Sequence, residues 1–145
     1  MIFGTTFQTN PTMSKESGTW KESNWLLAFQ QIQEHAHSIN VANGFWDDRR
    51  KIVSSGLKGA KVHVCLSALA LVTSEVAEAM EAVRKHPEAT WADHKTKDTM
   101  VRELAGTVVR LMDLANELEL PLAKAVLTEI EQNAKRGHMH GGKAA

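Results

Sequence analysis

The sequence predicts an all-α protein, built as a helical bundle. Apolar residues recur every three or four positions over most of its 145 residues, no segment alternates with a period of two, and prolines and glycines fall between the periodic segments. A chain of this length suits one domain with a single core. We expect a flexible polar tail over residues 1–22, the helical domain over 23–136 and a second tail over 137–145.

The first predicted helix lies in the segment SNWLLAFQQIQEHAHSINVANG. Gly44 at its end suits a left-handed C-terminal cap. The next segment, GFWDDRRKIVSSGLKG, reads as a connection with room for a short helical turn. The apolar stripe expected to face the core comprises Trp25, Phe29, Ile32, Ala36 and Ile39.

Three more helices follow. The second is expected from about Lys61 to His86, where Pro87 stops it, and the third from about Lys97 to Leu118. Pro121 suits the first turn of a fourth helix that ends near Arg136. Helical periodicity predicts a buried stripe on the second helix at Leu69, Val72, Val76, Met80 and Val83, and on the third at Met100, Leu104, Val108, Leu111, Ala115 and Leu118.

Three glutamates lie unusually close to these stripes. Glu75 falls inside the stripe of the second helix, Glu78 lies about 60° further round and one turn along, and Glu103 borders the stripe of the third helix. Like charges at a partly dehydrated site need a partner, and carboxylates on facing helices suit Mg²⁺ or Mn²⁺. The alternatives are that the glutamates pair with Arg84, Arg102 or Arg110, or that they simply lie at the edge of a solvated face.

Composition narrows the choice of partners and compartment. Seventeen basic and seventeen acidic residues cancel, so no global field draws the chain to nucleic acid or to an anionic membrane. No apolar run approaches the roughly twenty residues of a membrane span, so none is expected. Cys65 is the only cysteine, so no intrachain disulfide can form, and we expect a reducing, cytoplasmic setting.

Four motifs in order, GFWDD, SEVAEAMEAVRK, RELAGTVVRLMDLA and NAKRGHMHGGK, resemble those of the MazG-like all-α nucleoside triphosphate pyrophosphohydrolases, over about Glu34 to Lys143. The resemblance implies a helical bundle that forms a homodimer or homotetramer. It also implies Mg²⁺- or Mn²⁺-dependent cleavage of a (d)NTP to (d)NMP and pyrophosphate. On the family pattern Glu75 and Glu78 are metal ligands on one helix, and Glu103 is the first ligand on the next.

Other residues are candidates for binding the substrate. Phe45 and Trp46 could stack on a nucleobase or, equally, pack into the core. Asn133 could contact phosphate or base. The cationic candidates for the triphosphate, two of which belong to the tail motif, are Lys61, Arg110, Lys135, Arg136 and Lys143.

The chain departs from the family pattern at two positions. Gly106 stands where an acidic ligand is expected, and Glu129 stands where many relatives carry lysine. Glu129 could fill the missing ligand's place; alternatively, Gly106 permits close helix packing and Glu129 is solvated. Two functions therefore stay open: a metal-dependent hydrolase, or a non-catalytic nucleotide-binding or helical oligomerisation protein of the same fold.

Overall fold

The computed structural model describes residues 22–85 and 94–136, which form five α-helices with no strand among them. The all-α prediction is confirmed. The four predicted helices correspond to α1, α3, α4 and α5, and the expected short helical turn is the two-turn helix α2. The predicted end at His86 and nearly all of both predicted tails lie outside the described residues. The helices are α1 (Glu22–Ala42), α2 (Asp47–Ser54), α3 (Ala60–Arg84), α4 (His94–Glu117) and α5 (Leu122–Lys135).

The turn after α1 is set by Gly44, as the sequence predicts. Gly44 has a φ of 78°, its N–H donates to the carbonyl of Val41 at 2.9 Å, and the N–H of Phe45 donates to the carbonyl of Asn40 at 3.0 Å. This pair of bonds satisfies carbonyls at the end of α1 and needs a left-handed residue, for which glycine carries no Cβ penalty. The cap therefore places Phe45 and Trp46 immediately beyond the end of α1.

The centre of the fold is the pair α3 and α4. Val64 and Leu114 share one hydrophobic cluster, while Glu75 lies against Gly106. Positions further along α3 thus meet positions earlier in α4, so the two helices are antiparallel. α1 packs on α4, α5 on α1 and α2 on α3. Within the described residues this is an open layer of helices, and a closed four-helix bundle stays a prediction.

The predicted core stripes are wrong at most of their large residues, although Ala115 on α4 is buried as predicted. Leu69 on α3, Leu104 on α4 and Ile32 on α1 are 45%, 44% and 58% exposed. α3 has two apolar faces, one of small residues and one of large, and it meets α4 through the small one, because alanines let the two backbones approach closely. The buried residues of α3 are Ala60, Val64, Ala68, Ala79 and Ala82.

The exposed apolar face gives α3 a second property. Among the described helices, α3 is the one that is long and apolar enough to cross a membrane, judged by length and composition alone. This corrects the expectation that no apolar run reaches that length. Only 17% of its apolar window is buried within the described part of the chain, so much of the helix surface is exposed there.

A single carboxylate joins three parts of the fold. Asp113 Oδ1 accepts a hydrogen bond from Trp46 Nε1 at 2.9 Å and lies 2.6 Å from His37 Nδ1. Because a carboxylate only accepts, His37 Nδ1 carries the hydrogen in this contact. One turn along α4, Glu117 pairs with Arg50 at 2.6 Å and lies 3.4 Å from His37 Nε2. Trp46 is 1% exposed and forms the core with Val64, Ala68 and Leu114.

Replacing Asp113 with alanine removes the acceptor shared by Trp46 and His37. The buried indole N–H is then left without a partner, and we expect the free energy of unfolding to fall by about 1–3 kcal/mol, measured by urea denaturation. Asp48→Ala is the matched control, because the Asp48 side chain is 90% exposed and its loss should cost less than about 1 kcal/mol. Equal losses in the two variants would contradict a central role for Asp113.

Candidate functional site

A cavity of about 200 Å³ lies where the α1–α2 turn meets α3 and α4. Four of the residues predicted from the sequence share it: Phe45, Trp46, Glu75 and Arg110. The structure adds polar groups that the sequence reasoning did not assign to a site. These are Asn40 at the end of α1, Arg49 on α2 and Asp113 on α4.

The half-buried pair of Glu75 and Arg110 occupies one side of this cavity. Arg110 Nε donates to Glu75 Oε1 at 2.6 Å, and the Glu75 side chain is 14% exposed. The other carboxylate oxygen lies against Gly106. A Cβ at position 106 would come within 3.0 Å of Glu75 Cδ and closer still to Oε2. Because Gly106 has no side chain, the Glu75 carboxylate can occupy this space.

The two aromatic candidates differ in environment. Trp46 is buried, which agrees with the core-packing alternative, whereas Phe45 is 54% exposed at the cavity. The Arg49 guanidinium lies 5.0 Å from the centre of the Trp46 ring and donates to the Phe45 carbonyl at 3.1 Å. A stacked guanidinium next to an exposed aromatic ring offers both a cation and an apolar surface to a ligand.

The other predicted carboxylates lie apart from Glu75. Glu78 is exposed and accepts a hydrogen bond from Ser74 Oγ at 3.4 Å. Glu103 is buried and pairs with Arg102 at 2.9 Å. Within residues 22–85 and 94–136, no three acidic, histidine or cysteine side chains form a group that could hold a metal ion. In this arrangement arginine pairing, an alternative left open by the sequence, accounts for Glu75 and Glu103, and a metal site at the three glutamates stays a prediction.

Glu81, further along α3, pairs with an arginine of the same helix. Its side chain is 37% exposed, and Arg84 donates to both of its carboxylate oxygens at 2.7 and 2.8 Å. These hydrogen bonds lower the pKa of Glu81 and raise the pKa of Arg84. Glu81 is therefore a useful reference for the glutamates nearer the cavity.

Lys61 lies in a neighbouring cavity of about 540 Å³ that shares Trp46 and Arg49 with the first. Arg50 also lines this larger cavity, and its hydrogen bonds to Glu117 raise the pKa of the guanidinium. The two cavities thus form adjacent spaces around the same Trp46 and Arg49 side chains.

The predicted residues of α5 are not brought to either cavity. Asn133 and Arg136 are exposed near the end of α5, and Arg136 lies 3.4 Å from Glu129. Glu129 is therefore a solvated residue in the single chain, and the space beside Gly106 is taken by Glu75 instead. Lys143 lies outside the described residues.

Part of what the sequence reasoning missed carries a signal in hindsight. Arg49 follows Trp46 by three positions, the spacing at which residues of one helical turn lie side by side. Asp113 follows Gly106 by seven positions, about two turns, and so shares its face of α4. Asn40 has no such signal, because its place depends on how α1 packs against α4.

A comparison of the chain with family models, with curated proteins and with solved structures finds no match in any of the three. Membership of the MazG-like family therefore stays a prediction from the four motifs.

Gly106→Ala tests the close contact with Glu75. In the parent chain the new methyl group displaces the carboxylate, whereas in a Glu75→Ala chain the space is free and alanine's higher helix propensity contributes about 1 kcal/mol. We expect Gly106→Ala to be more favourable in the Glu75→Ala chain, by about 0.5–3 kcal/mol in urea denaturation.

Glu78→Ala provides the matched background for this cycle. The three atoms nearest to a Cβ at position 106 all belong to Glu75, so Gly106→Ala should have its parental effect when Glu78 is truncated. The same effect in the Glu75→Ala and Glu78→Ala chains would contradict the contact.

Proposed function

We propose that the chain is a nucleoside triphosphate pyrophosphohydrolase, dependent on Mg²⁺ or Mn²⁺, that converts a (d)NTP to the monophosphate and pyrophosphate. The observation that carries the proposal is the half-buried Glu75–Arg110 pair in a cavity that also presents Arg49 and Phe45. Guanidinium groups bind phosphate oxygens bidentately, and an exposed aromatic ring suits the face of a nucleobase.

The size of the site supports a ligand larger than the first cavity alone. Small-molecule sites usually measure about 300–1,000 Å³, and the cavity beside Glu75 is about 200 Å³. The neighbouring cavity of about 540 Å³ shares Trp46 and Arg49 with it. A nucleotide that occupied both would have Arg49, Lys61 and Arg110 among the groups that line its site.

Binding of a metal is the most demanding part of the proposal. A divalent ion would neutralise charge on the phosphates and activate a water molecule. Glu75 is held by Arg110, and Glu103 by Arg102, so both carboxylates would have to exchange an arginine for the ion. A triphosphate provides a reason for such an exchange at Glu75, because its oxygens compete for the Arg110 guanidinium.

A second function is favoured by the same contacts. Glu75 already has a cationic partner, and Gly106 provides no carboxylate at the position where the family pattern has one. Both features suit a non-catalytic nucleotide-binding or helical oligomerisation protein that has kept the fold.

The two functions are separated by pyrophosphate release, measured over the common ribo- and deoxyribonucleoside triphosphates with Mg²⁺ or with Mn²⁺. We expect equal amounts of monophosphate and pyrophosphate from at least one substrate, and none without the metal. Tight nucleotide binding without release of pyrophosphate would support a non-catalytic nucleotide-binding protein, and neither binding nor release would leave only the oligomerisation protein.

The role of the α3 carboxylates is tested by Glu78→Gln. The side chain of Glu78 is exposed, so the variant should keep its helicity and melting temperature. The family resemblance makes Glu78 a metal ligand, and in that role it would be needed for turnover, so we expect a loss of at least about 100-fold. Glu81→Gln is the matched control, because Glu81 lies one turn further along α3 and pairs with Arg84. Full activity of Glu78→Gln would remove the metal site.

A further inference from the structure

The polar groups that line the cavity beside Glu75 differ in whether they already have a partner. Glu75 and Arg110 pair with each other at 2.6 Å, and Asp113 accepts a hydrogen bond from the buried indole of Trp46. The half-buried Asn40 also lines this cavity, and across the part of the chain that the structure describes no hydrogen bond involves its side-chain amide. Asn40 can therefore bind a ligand without giving up an existing contact.

The turn after α1 fixes Asn40 next to Phe45. The carbonyl of Asn40 accepts a hydrogen bond from the N–H of Phe45 at 3.0 Å, as part of the cap formed at Gly44. Both residues line the same cavity, and Phe45 is 54% exposed there. An amide and an exposed aromatic ring are thus held side by side by the backbone, before any ligand binds.

This pair of groups has the chemistry that recognises a nucleobase. Proteins bind unpaired bases by stacking them on aromatic side chains and by hydrogen bonds to the edge of the base. The side chain of asparagine presents a carbonyl acceptor and an N–H donor next to each other. It therefore matches a base edge on which a donor lies beside an acceptor, and it distinguishes bases by the order of these groups.

The charged groups of the cavity are less suited to this role. Arg49 offers only donors, and it already donates to the carbonyl of Phe45 at 3.1 Å. The N–H groups of a base need acceptors, and the carboxylates of Glu75 and Asp113 are engaged with other side chains. Among the described side chains that line the cavity, Asn40 is the one that offers an acceptor and a donor without breaking a contact.

A purely structural role for the Asn40 side chain finds no support in its contacts. The carbonyls of Ile39, Asn40 and Val41 accept hydrogen bonds from backbone N–H groups of the following turn, so the end of α1 is capped without the amide. Asn133, the residue that the sequence suggested for contact with a base, lies on α5 and lines neither cavity. Asn40 is the asparagine that the fold brings to the cavity.

We propose that Asn40 reads the edge of the nucleobase that stacks on Phe45, an assignment that rests on the nucleotide site proposed above. Asn40 determines which base the cavity accepts, because the amide is satisfied only by an edge with a matching donor and acceptor. The phosphates, which all nucleotides share, bind to the cationic groups that line the two cavities and carry no information about the base.

Base selection is measured by titration calorimetry with the α,β-imido analogues of ATP, GTP, CTP and UTP, in the ribo and deoxyribo series, with Mg²⁺ present. Inorganic tripolyphosphate is the probe without a base. We expect the parent Kd values to differ at least about 10-fold between the best and the worst base. In Asn40→Leu, which has a similar shape and no polar atoms, the four values should lie within about threefold, while the Kd of tripolyphosphate is unchanged.

Asn40→Asp tests the hydrogen-bond pattern itself. A carboxylate only accepts, so it favours the base with two adjacent donors on one edge, which is guanine. We expect the affinity for the guanine analogue to rise at least about 10-fold relative to the other three analogues. A side chain that merely supports the cavity would not change the order of the bases in this way.

Asn43→Leu is the matched control. Asn43 lies three positions after Asn40 at the same helix end, is exposed, and lines neither cavity. The variant should keep the parent's order of bases and its affinity for tripolyphosphate. Circular dichroism should show the same helicity in all of these chains.

Stacking on the neighbouring ring is tested by Phe45→Leu. Because the ring is exposed, the fold should not depend on it. We expect all four analogues to bind about 10-fold more weakly, with their order unchanged and with no effect on tripolyphosphate.

Three outcomes would overturn the role of Asn40: equal affinity of the parent for all four bases, an undiminished difference between bases in Asn40→Leu, and a parallel loss of tripolyphosphate affinity in that variant. Binding of the analogues in the parent chain, without release of pyrophosphate from the natural triphosphates, would remove the hydrolase and leave base reading by Asn40 in place. Failure of every analogue to bind would remove both.

Discussion

The Asp113 carboxylate is the constraint on which the arrangement around the cavity depends. One oxygen accepts a hydrogen bond from Trp46 and contacts His37. This single group on α4 therefore holds both α1 and the turn between α1 and α2. A buried carboxylate and a buried indole N–H are both costly without partners, and each supplies the partner of the other. Because Trp46 is held in this way, Phe45 and Arg49 are left at the cavity rather than in the core.

Close packing of α3 and α4 is the second constraint, and it has opposite effects on the two faces of α3. Alanines on the inner face, together with Gly106 on α4, let the backbones approach. This approach leaves space for the Glu75 carboxylate between the helices and directs it at Arg110. The same choice of face leaves the larger side chains, such as Leu69 and Met80, on the outside. The polar cavity beside Glu75 and the exposed apolar face of α3 thus both follow from which face of α3 packs against α4.

Charge pairing in the cavity connects its structure to its proposed chemistry. Arg110 neutralises Glu75, so the chain avoids an uncompensated carboxylate in a half-buried place. A triphosphate would bring its own negative charge and favour the release of Arg110 from Glu75. Glu75 and Arg110 would then be partners of each other until a triphosphate binds. This pairing explains how an acidic residue can lie near the core of the chain.

The sequence by itself determined the helices and the cap at the end of α1, because helical periodicity and Gly44 act through neighbouring residues. It also identified Phe45, Trp46, Glu75 and Arg110, which do meet at one cavity. It could not determine which apolar face of α3 is buried, since alanine and leucine faces both satisfy the same period. Nor could it reveal that Asp113 holds Trp46 or that Glu75, rather than Glu129, lies beside Gly106. Those contacts join residues that are distant in sequence, and only the packing of α3 and α1 against α4 decides them.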